Sequence, residues 1–203
     1  MASVYDLKPR FQALLRPLVR TLAASGVTAN QVTIAAALLS VAGGGALVLL
    51  AGHRASLLIL PLVLFLRMAL NAIDGMLARE HGQKSRLGAM LNETGDVVSD
   101  AALYLALVPA LAPFGAHGLP IVLFVVLAVL TEFVGVVGQT ITGERRYDGP
   151  MGKSDRAASI GTLAFAAALG MPGGWWIDAV MSGLAALAVL TSVNRARSAL
   201  RSV

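Results

Sequence analysis

The chain has 203 residues, of which 57% are hydrophobic and only 13% are charged, and its formal net charge is +5. A soluble domain carries about 25% charged residues, so an ordinary soluble fold is excluded. Disordered tails and nucleic-acid-binding modules are excluded as well, because both need charge spread over a solvated surface. There is no cysteine, which excludes disulfides and thiolate metal sites. The composition predicts an all-α polytopic membrane protein.

Residues 1–26 precede the first long apolar run and are predicted to form an amphipathic helix. Apolar residues recur there at helical spacing, with basic residues between them: Leu7, Phe11, Leu14, Leu15, Leu18 and Leu22. This pattern is typical of a helix that lies in the plane of the membrane interface and contacts lipid. The alternative is a cytoplasmic helix that packs on the bundle.

Six apolar runs follow, most of them near the ~20 residues that a membrane-spanning helix needs. In chain order they cover residues 32–51, 55–73, 87–112, 119–141, 157–171 and 175–193. Pro61 is expected to kink the second run, and the glycine run 43–45 is expected to allow close helix packing. We predict a single membrane domain over residues 1–203, with a six-helix bundle over 27–193 and a basic cytoplasmic tail over 194–203.

An even number of spans places both termini on one side of the membrane. Of the 16 Lys and Arg residues, 14 lie in the terminal segments and turns of that side. Because cytoplasmic loops are enriched in these residues, we expect both termini in the cytoplasm and the chain in the inner (plasma) membrane of a bacterium. The basic face is also expected to contact anionic lipid head groups rather than nucleic acid.

Ionisable residues concentrate where the second predicted span ends and the third begins. Asn71 and Asp74 lie one helical turn apart, and Asn92, Asp96 and Asp100 recur every four residues along one stripe. Oxygen ligands in this arrangement suit Mg²⁺ or Mn²⁺, as one or two ions. The alternative is a hydrogen-bond cluster that only holds helices together, but carboxylates this close repel one another unless a cation neutralises them.

The spacing of these residues resembles the signature of the CDP-alcohol phosphatidyltransferase family, Asp-x2-Asp-Gly-x2-Ala-Arg-x8-Gly-x3-Asp-x3-Asp. Every gap matches, and six of the eight fixed residues are the same. The eight positions are Asn71, Asp74, Gly75, Ala78, Arg79, Gly88, Asn92 and Asp96. Residues 27–33 are also similar to the family's segment leading into its first span.

This resemblance implies a reaction in phospholipid biosynthesis. A CDP-linked lipid, such as CDP-diacylglycerol, gives its phosphatidyl group to an alcohol acceptor, and CMP leaves in a metal-dependent step. The resemblance also implies a homodimer with a cytoplasmic active site. It makes Asp74 a metal ligand and Asp96 both a metal ligand and the catalytic base. The residues that it places at the nucleotide are Asp74, Gly75, Ala78, Arg79 and Gly88.

Two departures from the signature affect the predicted metal site. Asn71 and Asn92 stand where the family has aspartates, and an amide oxygen can bind a hard cation but brings no charge. Glu93 and Asp100 lie within reach of the same stripe and can replace a lost ligand. Alternatively, Asp100 forms a structural hydrogen bond and Glu93 pairs with a basic residue, or only one metal binds well. A rival to the enzyme is an inactive relative that binds CDP-lipid or nucleotide without turnover.

Cations outside the signature are candidates for binding a phosphate of the acceptor or the lipid. Four lie in the turn between the fourth and fifth predicted spans: Arg145, Arg146, Lys153 and Arg156. The alternative for these four is that a cytoplasmic loop is basic in any case. Arg67, one turn before Asn71, is expected to pair with a buried carboxylate such as Glu132 or to hold a lipid phosphate.

Overall fold

The computed structural model describes residues 4–201, and it contains helices and no strand over that range. The α-helices are α1 (Val4–Ala24), α2 (Ala29–Leu49), α3 (Ile59–Glu80), α4 (Arg86–Leu105), α5 (Leu107–Leu111), α6 (Gly118–Thr142), α7 (Lys153–Ala168) and α8 (Trp176–Arg201). Short 3-10 helices precede α3 and follow α5, at Arg54–Leu58 and Ala112–Phe114. The all-helical fold class predicted from composition is confirmed.

Within the described range, five helical segments are long and apolar enough to cross a membrane. They are Ala29–Leu49, Arg54–Glu80, Arg86–Phe114, Gly118–Thr142 and Trp176–Arg201. The remaining predicted span, 157–171, is helical as part of α7, but α7 has only 16 residues. At 1.5 Å per residue it is about 24 Å long, which is short of the ~30 Å hydrocarbon core. Five full-length spans and one short helix therefore stand where six spans are predicted.

A proline interrupts the third predicted span. Pro61 is the third residue of α3, just after the junction with the 3-10 helix Arg54–Leu58. The third predicted span is broken, because α4 ends at Leu105 and α5 begins at Leu107. Pro109 explains this break, since it cannot donate to the carbonyl of Leu105 and its ring would clash with that group.

Contacts divide the described chain into two compact units. The first unit contains the described residues up to Val41 together with Val63–Ser99. The second unit contains Ala42–Leu62 and the described residues from Asp100 onward. All eight positions of the family signature therefore lie in the first unit, and the basic turn before α7 lies in the second.

In the first unit, α1 packs on α2 and α3. Val19 of α1 is fully buried in a core that includes Leu77 of α3. Arg16 forms a two-point ion pair with Glu80, with distances of 3.1 Å from Nε to Oε2 and 3.0 Å from Nη2 to Oε1. Leu14, however, remains 76% exposed. The helix is amphipathic as predicted, and it has both a packed face and an exposed apolar position.

In the second unit, α6 and α8 pack against each other and bury large apolar side chains, including Phe124 and Met181. The close packing predicted for the glycine run in α2 is confirmed at Gly44. A Cβ on Gly44 would overlap the main-chain oxygen of Ala102 on α4. Only glycine therefore allows these two helices to approach as closely as they do.

Helix α8 continues without interruption to Arg201, so the segment predicted as a basic cytoplasmic tail from residue 194 is helical over the described residues. Thr191, Arg195 and Ala199 are all buried and recur at helical spacing. The packed face of α8 therefore extends into the segment predicted to be the basic tail.

Candidate functional site

The start of α2 forms a hydrogen bond to a predicted metal ligand on α3. Thr28 and Gln31 form a capping box, in which the N–H of Thr28 donates to Oε1 of Gln31 (2.9 Å) and the N–H of Gln31 to Oγ1 of Thr28 (3.3 Å). One turn into α2, the hydroxyl of Thr33 donates to Oδ2 of Asp74 at 2.8 Å. Residues 27–33 therefore start a helix that orients the Asp74 carboxylate.

Asp96 on α4 contacts two side chains of α3. Its Oδ1 accepts from Nη2 of Arg67 at 3.1 Å and from Nδ2 of Asn71 at 3.5 Å. The same guanidinium nitrogen also lies 3.2 Å from the main-chain oxygen of Asp96. The Arg67 side chain is 4% exposed and that of Asp96 is 18% exposed. The buried ion pair predicted for Arg67 is therefore present, and Asp96 is a carboxylate that it contacts. Glu132, the partner suggested by the sequence, is instead contacted by other arginines, as described below.

The other predicted ligands occupy the expected turns of the same two helices. Asn71 and Asp74 lie one turn apart on α3, and Asn92 and Asp96 lie one turn apart on α4. Asp74 is buried, and the other three are half-buried. Glu93, three residues before Asp96, is also half-buried. We call Asn71, Asp74, Asn92 and Asp96, together with Arg67, the acidic site.

Two signature glycines leave room for polar side chains. A Cβ on Gly75 would lie 2.8 Å from Nη2 of Arg79, so the guanidinium folds over this position. A Cβ on Gly88 would lie 2.7 Å from Oδ1 of Asn30, so the absence of a side chain gives the Asn30 amide its space. The N–H of Gly88 also donates to Oγ of Ser85 at 2.9 Å, which caps the start of α4.

The oxygen atoms of the acidic site fit a hard divalent cation that is bound through few carboxylates. Within residues 4–201, no three His, Asp or Glu side chains are arranged so that they can hold a metal. Asn71 and Asn92 reduce the acidic donors at the signature positions to two. Hard divalent cations such as Mg²⁺ are nevertheless commonly bound through one or two carboxylates, with water and substrate phosphates completing the shell. Asp74 and Asp96, with the two amide oxygens, match that mode of binding.

In the second unit, Glu132 of α6 is surrounded by arginines from three segments. Its Oε2 accepts from Nη2 of Arg145 at 2.7 Å, and its Oε1 accepts from Nη2 of Arg156 at 2.8 Å. Nη1 of Arg195 lies 3.6 Å from Oε1. The side chains of Arg156 and Arg195 are 1% and 2% exposed. Because a buried carboxylate is costly without partners, these contacts stabilise Glu132 within an apolar helix.

Arg156 joins a second carboxylate to this group. Its Nε and Nη2 lie 3.3 and 3.0 Å from Oδ2 of Asp100, and its Nη1 donates to Oγ1 of Thr131 at 3.0 Å. This contact is the one expected if Asp100 has a structural role, because a cation of the protein already neutralises its charge. We call Asp100, Glu132, Arg145, Arg156 and Arg195 the arginine cluster. It contains three cations and two anions.

Sequence reasoning misses Arg195 because a basic residue near the end of the chain resembles a topological signal. Two patterns in the sequence point to its buried position. Thr191 and Arg195 lie one turn apart on the face that the apolar part of α8 buries. In addition, Glu132 within a long apolar helix requires a cation partner. The structure also pairs Nη1 of Arg195 with the main-chain oxygen of Thr131.

Small residues allow the basic turn to lie against the arginine cluster. A Cβ on Gly135 would lie 3.1 Å from both Nε of Arg145 and Nη1 of Arg195. Gly149 has φ +115°, and a Cβ there would lie 2.7 Å from Cα of Thr191. Gly149 therefore requires glycine for its backbone conformation and for space, whereas a side chain at position 135 would force the neighbouring arginines to shift.

The remaining predicted cations lie at the two ends of the same turn. Nη1 of Arg146 is 4.0 Å from Oε2 of Glu144, which is a weak pair between an 18% exposed arginine and a 79% exposed glutamate. Lys153 is the half-buried first residue of α7. Asp155 caps this helix, since its Oδ2 accepts from the N–H of Gly152 at 3.0 Å. Of the four predicted cations, Arg145 and Arg156 thus bind Glu132 directly.

Comparisons with known proteins agree with the signature. A sequence model of the family described as CDP-alcohol phosphatidyltransferase matches residues 26–194. The chain is 48% identical over 198 residues to the inner membrane protein YnbA of Escherichia coli (strain K12), which covers 98% of this chain and 96% of that protein. It is 31% identical over 124 residues to the phosphatidylinositol phosphate synthase of Mycobacterium tuberculosis (strain H37Rv), covering 61% of this chain and 55% of that protein.

Solved structures of that mycobacterial synthase have a similar fold. The crystal structure in complex with manganese and citrate gives a TM-score of 0.75 at 25% identity, over 91% of this chain and 88% of that one. The crystal structure with CDP-DAG bound gives the same score and identity, over 90% and 92% of the two chains. The chain therefore belongs to the CDP-alcohol phosphatidyltransferase family, as its signature predicts, and is a multi-pass membrane transferase.

Proposed function

We propose that this chain transfers the phosphatidyl group of CDP-diacylglycerol, or of a similar CDP-linked lipid, to an alcohol that carries an anionic group, and releases CMP. The observation that carries the proposal is the pair Asp74 and Asp96. Both occupy signature positions on α3 and α4, and both are oriented by hydrogen bonds, from Thr33 and from Arg67.

We propose that the acidic site holds Mg²⁺ or Mn²⁺ through the carboxylates of Asp74 and Asp96 and the amide oxygens of Asn71 and Asn92. When bound, the ion attracts the donor's diphosphate and stabilises the charge that develops on departing CMP. The protein's own contribution is to orient these oxygens before the donor arrives. The 2.8 Å hydrogen bond from Thr33 does this for Asp74.

Glu93 and Asp100 are assigned different roles in this proposal. Glu93 remains a proposed ligand, because it lies on α4 one turn from Asp96 and is half-buried. Asp100 is proposed to orient Arg156, because two guanidinium nitrogens of that residue already lie within 3.3 Å of its Oδ2. The negative charge of Asp100 is therefore neutralised by Arg156 within the arginine cluster.

Asp96 is the proposed catalytic base. It takes the proton of the acceptor hydroxyl, and the resulting oxygen forms a bond to the phosphorus of the lipid phosphate. The bond between that phosphorus and the bridging oxygen of the diphosphate breaks, and CMP leaves with this oxygen and its electron pair. The ion pair with Arg67 holds the Asp96 carboxylate in position for this transfer.

The proposed nucleotide contacts come from the small and basic residues of the signature. The space above Gly75 and Gly88 admits polar groups close to the backbone of α3 and α4. Arg79 is exposed on α3 and can donate to a phosphate oxygen without losing a buried partner. The complete proposed set is Asp74, Gly75, Ala78, Arg79 and Gly88.

We propose that the acceptor's anionic group binds at the arginine cluster and the adjoining turn. The cluster has one more cation than anions, and the turn adds further positive charge. Arg145 is the proposed primary contact, because its side chain is 10% exposed whereas Arg156 is 1% exposed. Arg146 and Lys153 are proposed to assist, and Arg156 is proposed to position Glu132.

We also propose the sidedness and assembly that the sequence predicts. Both termini and the active site face the cytoplasm, because the basic turns and terminal segments share one side of the predicted topology. Helix α1 lies in the membrane interface with positions such as Leu14 toward lipid. The chain acts as a homodimer, as the family resemblance implies.

The test is to incubate purified full-length protein with CDP-diacylglycerol, Mn²⁺ and one alcohol at a time, and to identify any lipid product by mass. The panel pairs charged and uncharged alcohols: glycerol 3-phosphate with glycerol, and inositol phosphate with inositol. We expect a lipid product and equimolar CMP from a phosphorylated alcohol only. A product formed only from uncharged alcohols would contradict the proposed acceptor site.

The second candidate function is binding of CDP-lipid without turnover, which the two asparagines in the signature favour. It predicts saturable binding of CDP and no CMP release with any alcohol in the panel. CMP release above that of an Asp96→Asn control would exclude it. The two functions are therefore separated by one measurement on the same preparation.

A further inference from the structure

Arg67 is a buried cation within a site proposed to bind another cation. It lies on α3 one turn before Asn71, and its side chain is 4% exposed. Its Nη2 donates to both Oδ1 and the main-chain oxygen of Asp96, at 3.1 and 3.2 Å. The family signature has no fixed residue at this position, and the proposed reaction uses Arg67 only to hold the Asp96 carboxylate in place.

The charge balance of the acidic site changes when Arg67 is included. Asp74 and Asp96 contribute two negative charges, Asn71 and Asn92 contribute none, and Arg67 contributes one positive charge. The site then carries a net charge of −1, or −2 if Glu93 is counted. Before the donor's diphosphate binds, one divalent cation neutralises this charge to within one unit, whereas two would leave an excess of two or three positive charges in a partly buried site. The four aspartates of the signature would instead balance two such ions.

The contacts around Asp96 support the same conclusion. Nδ2 of Asn71 and Nη2 of Arg67 both approach Oδ1 of Asp96, at 3.5 and 3.1 Å. An aspartate at position 71 would place two carboxylates together, and these would repel each other without a cation between them. The asparagine and the guanidinium together remove that repulsion without a metal ion.

We infer that the guanidinium of Arg67 stands in the place of a second divalent cation, so that the chain binds a single metal ion per protomer. This inference rests on the proposed function for the location of the metal site. It assigns Arg67 as a positioning residue for Asp96 and as a fixed positive charge that repels a further ion.

The first test counts Mn²⁺ bound to purified full-length protein in the presence of CDP. Equilibrium dialysis followed by elemental analysis gives the count, and electron paramagnetic resonance distinguishes isolated Mn²⁺ from a spin-coupled pair. We expect one isolated Mn²⁺ per wild-type chain. We expect two, with a coupled spectrum, in the triple variant Arg67→Met, Asn71→Asp and Asn92→Asp. Two ions in the wild type, or one in the triple variant, would overturn the inference.

The second test uses a milder substitution, in case the triple variant does not fold. Arg67→Gln keeps a hydrogen-bond donor near Asp96 but removes the charge, and we expect it to tighten Mn²⁺ binding about tenfold, because a nearby cation no longer opposes the ion. Arg16→Gln is the matched control, since it removes an arginine from the ion pair with Glu80 in the same unit. Equal Mn²⁺ affinity in Arg67→Gln and the control would overturn the inference.

These readouts do not depend on turnover. A protein that binds one Mn²⁺ but releases no CMP contradicts the proposed function and leaves the role of Arg67 intact. A protein that releases CMP and binds two Mn²⁺ contradicts the inference and leaves the proposed function intact.

Discussion

The acidic site and the arginine cluster both contain buried or half-buried charged side chains, but their net charges have opposite sign. In the acidic site, two carboxylates accompany one guanidinium. In the arginine cluster, three guanidiniums accompany two carboxylates. Buried charge is costly unless it is neutralised. The acidic site is therefore expected to bind an added cation, and the arginine cluster an added anion. The remaining charge of each group thus matches one component of the proposed reaction, the metal ion or an anionic substrate group.

The largest expected effect comes from removing the proposed base in the acidic site. Asp96→Asn keeps the shape of the side chain but can neither take a proton nor bring charge to the metal. We expect CMP release to fall by about 10²–10⁴-fold, the usual contribution of general base catalysis. The rate of CMP formation from CDP-diacylglycerol is the measurement.

Asp178→Asn is the matched control for this substitution. Asp178 is an aspartate of α8 whose partner is the exposed side chain of His117, outside both charged groups. We expect CMP release close to that of the wild type. An Asp96→Asn variant that keeps more than a tenth of the control's rate would contradict the role of Asp96 as the base.

The next effect is on stability, and it comes from removing the central arginine of the arginine cluster. Arg156→Met removes the cation that binds both Asp100 and Glu132, and it leaves buried carboxylate charge behind. Breaking a buried pair in this way costs about 3–5 kcal/mol, so we expect the free energy of unfolding to fall by that amount. Thermal unfolding in detergent measures it. A variant as stable as wild type would show that these contacts do not hold the second unit together.

A smaller effect is expected for the more accessible arginine of the same cluster. Arg145→Met leaves Glu132 with two other arginines, so stability should change less than in Arg156→Met. A hydrogen bond to a charged group contributes about 1.5–3 kcal/mol, which predicts a roughly 10–100-fold rise in KM for the charged acceptor. Steady-state kinetics at saturating donor measures it. An unchanged acceptor KM would place the anion elsewhere.

The smallest effects distinguish Glu93 from Asp100, the two carboxylates on α4 that are not signature residues. Asp100→Asn should leave the affinity for Mn²⁺ unchanged, because its carboxylate is engaged by Arg156. Glu93→Gln should weaken Mn²⁺ binding by about tenfold, because it removes a carboxylate that supports the metal site. Titration of each variant with Mn²⁺ measures both. A reversal of this order would make Asp100 the ligand and Glu93 the structural residue.

Much of the fold was accessible from the sequence because membrane helices satisfy their hydrogen bonds locally and must be apolar. Hydrophobic runs located the helices, and the spacing of the signature located the acidic site on α3 and α4. Details that depend on packing were less accessible. The short α7 has the composition of a span without its length, and Pro109 interrupts the third predicted span.

The partners of charged residues were the least predictable feature. A carboxylate in an apolar helix, such as Glu132, indicates that a cation partner is present. The three arginines that contact Glu132 lie up to 63 residues away in sequence, so the sequence does not identify them. Arg195 resembled a topological signal, because charge alone does not distinguish a solvated tail from a buried helix face. Arg67 was expected to form an ion pair, but only the helix packing identified Asp96 as a partner.

The most direct test of the central claim is CMP release from CDP-diacylglycerol, measured with Mn²⁺, after chelation with EDTA, and after Mn²⁺ is restored. The acceptor is the alcohol identified by the panel. We predict release with Mn²⁺, its loss in EDTA and its recovery on adding back the ion, with no release from Asp74→Asn under any of these conditions. Release that continues at the full rate in EDTA, or an Asp74→Asn variant as active as wild type, would contradict a metal-dependent transferase at the acidic site.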